Sequence, residues 1–420
     1  MAAISDAERS AMERNLRILP WWWVARWIWL GEAIWVIYLL REHGLTVGEV
    51  IVFESVLSAT ALAAELPTGI VADRYGRRIS VFLSCLATSV AFLGFGLAQT
   101  IPLLLGSYAL FAIAEAFMSG ADNALLFDTL QRLGRGDEFT RRLGRMGGAQ
   151  TAAIAVLTVI GGLMIRWTPL NWPIVLSGLL SIPGVFLALM LKEPPHEGDR
   201  LSFTETGRSA ARRVIRTPSM RSMIMLATFS VISIVVMSIL IQPVVVDYGV
   251  PLWMLGLFSG TQMAFSAAGA WSASSVGRRL GLRRTMQTMA MLSALALFGG
   301  ASGVIWLFPL FILPSVTFNV IHPHFADYIS RRSPERERAT TLSLGTLTER
   351  VVMIPATLLL AVAVDAWGMH TALALAAGVL FTLVVVAYLE WARSGDTEIE
   401  PNTPQEEQPA AEPPSRIMPS

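Results

Sequence analysis

Glu-Leu-Pro-Thr-Gly-Ile-Val-Ala-Asp-Arg-Tyr-Gly-Arg-Arg, residues Glu65 to Arg78, lies between two apolar runs at 48–72 and 79–98. Each run is long enough to cross a bilayer as a helix. A tight turn with three arginines therefore joins two spans, and arginine beside a span end marks the cytoplasmic side. Gly76 lets the backbone reverse without a side-chain clash. Asp73, near the end of the first run, can bind an arginine or cap a neighbouring helix.

The 420 residues around this turn are 54% hydrophobic and 15% charged, with a mean hydropathy of +0.56. That composition lies outside the range of ordinary soluble domains. Candidate spans fall at 20–41, 48–72, 79–98, 102–130, 146–167 and 170–191, and again at 220–246, 251–276, 284–300, 303–330, 343–366 and 370–391. Residues 1–19 form a polar lead-in, expected as a helix at the cytoplasmic surface. The segment 192–219 reads as a polar linker between six-helix bundles at 20–191 and 220–391, and 392–420 as a disordered cytoplasmic tail. Of the 32 basic residues, 28 fall on one side of this layout. That bias predicts both termini in the cytoplasm. Cys85 is the one cysteine and lies in an apolar run, so no disulfide framework exists.

The halves repeat. A shift of 205 residues aligns Arg74 with Arg279, Gly76 with Gly281 and Arg78 with Arg283, although Arg278 stands opposite Asp73. A shift of 199 aligns Asp128 with Asp327. Gly69, Asp73, Arg74, Gly76, Arg77 and Arg78 fill every defined position of Gly-x-x-x-Asp-Arg-x-Gly-Arg-Arg, so the chain resembles the major facilitator superfamily of transporters. The resemblance implies an all-α membrane protein of twelve transmembrane helices in two pseudo-symmetric six-helix bundles, with the substrate at their interface. It further implies that Asp128 pairs with Arg77, that Asp73 meets the start of the eleventh span, and that such contacts gate the cytoplasmic side. The Glu-Leu-Pro-Thr-Gly opening looks like branches of drug and macrolide exporters. Two departures from proton-coupled drug exporters stand out: Glu115 or Ala116 replaces a fourth-span arginine, and Thr158 replaces a fifth-span proline before Gly161-Gly162.

Charged residues inside spans are costly and are functional candidates by default. The first half holds Arg26, Glu32, Glu54, Glu65, Glu115 and Asp122, whereas Val231, Met237 and Ala270 stand opposite Arg26, Glu32 and Glu65. At about 1.5 Å per residue, Glu32 and Glu115 lie roughly 20 Å in, near the midplane. Glu115 and Asp122 are seven apart, on one face of an unbroken helix. The simplest arrangement pairs Arg26 with Asp122 or Glu65 and leaves Glu32 and Glu115 to carry protons. Glu54, nearer the outer interface, is expected to be structural. Trp29 is a candidate for stacking on a substrate, and Gln242, Gln262, Asn319 and Arg350 for lining its cavity.

No Walker A loop, catalytic triad or zinc spacing appears, so an ATP-driven pump, an enzyme, a metal site and a bound cofactor are not expected. The expectation is a monomeric secondary transporter in the plasma (inner) membrane, surrounded by lipid, with no nucleic-acid partner. It exports a small organic substrate in exchange for protons. The alternatives are a uniporter or proton symporter for metabolite uptake, and a non-transporting membrane receptor on the same scaffold.

Overall fold

The computed structural model describes residues 5–194, 203–334 and 337–395, and among them the regular secondary structure is all helix. The helices are α1 (Asp6–Arg26), α2 (Trp35–Glu42), α3 (Val47–Tyr75), α4 (Arg77–Leu97), α5 (Ile101–Met118), α6 (Ala121–Arg132), α7 (Phe139–Met164) and α8 (Trp172–Met190) in the first half. The linker forms α9 (Phe203–Arg216). The second half contains α10 (Pro218–Asp247), α11 (Leu255–Ala301), α12 (Leu313–Arg332), α13 (Arg338–Trp367) and α14 (Met369–Arg393). Nine segments among the described residues are long and apolar enough to cross a membrane. They match the expected second to seventh and tenth to twelfth spans. The eighth and ninth lie within α11, which Gly281 (φ 73°, ψ 161°) divides.

The first expected span is not one helix. Between α1 and α2, residues 27–34 leave regular helix. Backbone groups released inside a membrane must find other partners. Here Leu30 N–H donates to Ser177 Oγ at 2.9 Å, and the Glu32 carbonyl accepts from Gln242 Nε2 at 2.8 Å. The fourth span is also divided, by Ser119 and left-handed Gly120 (φ 78°), into α5 and α6. The expected lead-in helix is the first part of α1, with Asp6, Arg9, Glu13, Arg14 and Arg17 exposed. Met12, Asn15 and Leu19 are fully buried, and Asn15 joins Thr129 and the Lys192 backbone. The tail expected to be disordered lies outside the described residues beyond 395, as does part of the linker.

The two halves meet away from the arginine-rich face. Ser55 and Thr357 share a hydrogen bond of 2.7 Å between α3 and α13. On α11, Gly256 and Gly260 stand four apart and face Val159 and Gly162 of α7. A Cβ on Gly162 would lie 2.5 Å from Gly256 Cα. Small residues at four-residue spacing let two helix backbones touch in this way. Gly161, next to Gly162, packs on the Leu30 carbonyl of the broken first span. One apolar core crosses this seam, with Ile34 and Ile37 beside Leu240 and Val244. A second core, around Leu19, Trp22, Val81 and Leu125, stays within the first half near the arginine-rich face.

The seam opens toward the arginine-rich face. On α3, buried Ser55 (5% exposed) is followed one helical face down by Leu66 (66% exposed) and exposed Gly69. On α13, buried Thr357 (1% exposed) is followed by exposed Thr346 and Ser343 on its own face. Surfaces that seal at one end are therefore uncovered at the other.

Candidate functional site

A cavity of about 230 Å³ lies against the break in the first span. The break supplies Trp27, Trp29 and Glu32 to its wall, and α2 supplies Trp35. Helix α4 contributes Phe92 and Phe95, α5 contributes Tyr108 and Phe111, and α3 contributes Glu54. Val235, Ser238 and Ile239 of α10 close it from the other half. The rings pack on one another: Trp29 stacks on Phe92 at 4.3 Å, and Phe92 on Phe111 at 5.3 Å. Tyr108 stacks on Trp35 at 5.9 Å and donates its hydroxyl proton to Glu54 Oε1 at 2.7 Å. Trp29 and Glu54 are the polar neighbours of the Glu32 carboxyl. Among the described residues, no lysine, arginine or histidine lines this cavity. Two carboxyls in one aromatic enclosure are costly as a pair of anions.

Arg26 is differently placed. It ends α1, where a cation complements the helix dipole. Its guanidinium forms an ion pair with Glu115 and donates Nε–H to Ser84 Oγ at 2.9 Å. The arginine is 1% exposed, and its Nη1 has no hydrogen-bond partner among the described residues. The expected pairing with Asp122 or Glu65 is therefore replaced by Glu115. Gly120 breaks the helix between Glu115 and Asp122, so the two do not share one helical face. Asp122 instead begins α6 and accepts from Asn123 N–H at 2.7 Å.

Among the other candidates, Trp29 lines the cavity and Glu32 does too. Gln242, Gln262, Asn319 and Arg350 do not. Gln242 is a clamp between halves: Oε1 accepts from Val36 N–H (3.1 Å) and Ile37 N–H (3.4 Å), while Nε2 serves the Glu32 carbonyl. A side chain of α10 thus caps α2 and holds the break. Asn319 binds Ser266 within the second half at 2.7 Å. Glu65 is half-buried on α3, outside the cavity. Glu54, expected to be structural, is the residue that sequence reasoning missed. Eleven residues before Glu65 on one face of α3, it could have been found by asking which acid has aromatic neighbours.

The signature turn holds the first half together. Arg77 forms an ion pair with Asp128, as the resemblance implied. That pair joins α4 to α6 inside one half and is intact with the seam open. It is therefore not a latch between halves. The cap of α4 comes from Glu193: Arg77 N–H and Arg78 N–H donate to its two oxygens at 2.9 and 2.7 Å. Arg78 also reaches the Leu189 carbonyl at 2.6 Å. Arg74 is exposed over the Tyr75 ring, and Gly69 faces open space. Asp73 lies in the last turn of α3, and its side chain is outside the described set.

On the arginine-rich face, outside the spans, Glu8 is held below the usual carboxylate range by Arg132. Glu337 is held low by the Ser209 hydroxyl and then by Arg213, both from α9.

A two-half helical scaffold with paired spans, a seam open at one end and a cavity at an interrupted helix is that of a secondary transporter. The Major Facilitator Superfamily description matches residues 28–357, and the chain belongs to that family. It is similar in fold to a point mutant of the nucleoside transporter NupG, at 12% identity and TM-score 0.75, covering 91% of this chain and 99% of that one. It is also similar to a bacterial homolog of the human lysosomal transporter Spinster, inward-facing and occupied, at 15% identity and TM-score 0.69 over 92% and 97% of the two chains. A D-xylose-proton symporter matches at 10% identity and TM-score 0.70, over 92% of this chain and 99% of that one. No curated protein matches the sequence.

Proposed function

We propose that this multi-pass membrane protein moves a small organic compound across the plasma membrane by alternating access, exchanging it for protons and thereby exporting it. The arginine-rich face is the cytoplasmic one, by the charge bias of its connections. The cavity at the break is then the transport site, and the seam is open to the cytoplasm. One observation carries the reading: Glu32 and Glu54 share an aromatic cavity that no cationic side chain among the described residues lines. Protons on this pair remove the cost of two adjacent anions, and a substrate that needs the anions displaces them.

Arg26 and Glu115 neutralise each other, so Glu115 gives up the proton-carrying role that its depth suggested. Gln242 links the events. It holds the break that carries Glu32 while also sealing the outer seam, so opening outward requires its three hydrogen bonds to release. The test uses proteoliposomes with an imposed pH gradient and a panel of labelled small organic compounds. The parent protein should accumulate one or more of them on the acidic side. The Glu32→Gln/Glu54→Gln protein should equilibrate the same compounds without accumulation. Unchanged accumulation by that variant would remove the acid pair from the mechanism.

A further inference from the structure

We infer that the cavity takes a monovalent organic cation with a compact aromatic or alkylammonium body, rather than a neutral or anionic compound. The inference rests on the proposed transport role and names the substrate class of that same site.

Three features of the cavity converge on this ligand. Its walls are lined by the rings of Trp27, Trp29, Trp35, Phe92, Tyr108 and Phe111, and aromatic faces attract cations, most strongly when desolvated. Its polar groups are two carboxyls, the Tyr108 hydroxyl committed to Glu54, two serines, and the indole N–H groups of Trp27, Trp29 and Trp35, of which that of Trp29 serves Glu32. An anion would meet two acids and no lining cation. A neutral polar compound could meet the indole and serine donors but would leave the carboxylate charge uncompensated.

The charges around the pair support the same ligand. Facing it from α5 is Tyr108, and α4 and α10 bring only apolar residues and Ser238 to the wall. Arg26, on the first span, does not line the cavity; it sits over the Trp27 ring at 5.0 Å and is paired with Glu115, with Asp122 also near it. Charge balance then sets the exchange. The pair is neutral with two protons, or with one proton and one monovalent cation. Each bound cation therefore releases one proton, and no bond within the cation is made or broken. The volume, about eight waters' worth at ~30 Å³ each, fits one ring with a small charged head.

The test is a titration of the purified full-length protein with benzyltrimethylammonium and with neopentylbenzene, its neutral isostere. Tryptophan fluorescence and calorimetry are the readouts, at pH 8 and pH 5. At pH 8 the cation should bind at least about tenfold more tightly than the isostere, a difference of about 1.4 kcal/mol. At pH 5 its affinity should fall at least about tenfold, with proton release visible as a buffer-dependent heat. Glu32→Gln/Glu54→Gln, folded by circular dichroism, should bind both compounds alike. Equal affinities in the parent, preference for the isostere, or no saturable binding of the cation would each overturn the inference. The proposed function fails separately, by gradient-driven accumulation that survives in the double variant. A neutral compound accumulated by the parent and lost in that variant would leave transport standing and sink the cation.

Discussion

The turns at Gly76 and Gly281 have almost the same backbone, φ 96° and ψ 156° against φ 73° and ψ 161°, and they occupy matching places in the two halves. Their surroundings differ. At Gly76 the Glu193 carboxylate crosses from the end of the sixth span to cap α4, and Arg77 pairs with Asp128. At Gly281 open space surrounds the glycine, and Asp327 pairs with Arg331 on its own helix at 2.9 Å. The repeat has kept the shape that only glycine adopts and dropped the electrostatic tie. The spans differ too: Glu32, Glu54, Glu115 and Asp122 lie in the first half, while the second brings an apolar wall and Ser238 to the cavity, the Gln242 clamp, and an acid on α13, Glu349. In the proposed cycle the first half binds and the second closes over it.

The largest effect that would separate the two turns comes from the glycines. Both sit in a backbone region that side chains hardly enter, at about 1–3 kcal/mol. A Cβ on Gly76 would also lie 2.9 Å from Glu193 Cδ. Gly76→Ala should therefore lower the melting temperature in detergent more than Gly281→Ala. In a Glu193→Ala background, which itself costs about 1 kcal/mol of capping, the two alanines should cost the same. A gap that persists there would show that the cap does not distinguish the turns.

Next come the acids. The Arg77–Asp128 pair is about three-quarters covered on both sides, and losing about 1–2 kcal/mol there would change the ratio of folded to unfolded protein about five- to thirtyfold. Asp327→Asn removes an exposed pair one turn apart, worth about 0.3–0.5 kcal/mol. The melting temperature in detergent should fall clearly for Asp128→Asn and stay close to the parent's for Asp327→Asn. Equal losses would erase the electrostatic difference between the two turns.

The smallest effect is one of pH. Glu337 is lowered from its ordinary value of 4.5 by Ser209 and Arg213, so its clasp on α9 contributes fully above that value. It is lost as pH falls from 4.5 through the lower value of the folded protein. Amide exchange in α9, corrected for intrinsic rates, should be flat from pH 7 to 5 and rise below. Glu337→Gln should show the raised exchange already at pH 7, without that acid step.

Much of the scaffold was legible from Glu65–Arg78, because its glycines and arginines have fixed places between two apolar runs. The broken first span was not. Trp27 to Ile34 is as apolar as any helix, and its backbone is satisfied by Ser177 and Gln242, far away in sequence. Depth counted along an unbroken helix misplaces Asp122, because Gly120 interrupts the fourth span, and it cannot reveal the pairing of Arg26 with Glu115. Glu54 looked peripheral because nothing in its own helix announces Tyr108.

Protons on Glu32 and Glu54 are held here to decide which face is open. Spin labels at Leu66 and Leu347, both exposed at the arginine-rich end of α3 and α13, report that opening directly by dipolar distance measurement; the single native thiol, Cys85, is buried. Between pH 8 and pH 5 the parent should redistribute between a long and a short distance, and Glu32→Gln/Glu54→Gln should hold one distribution at both. A pH-driven shift of the same size in the double variant would show that other groups set the opening.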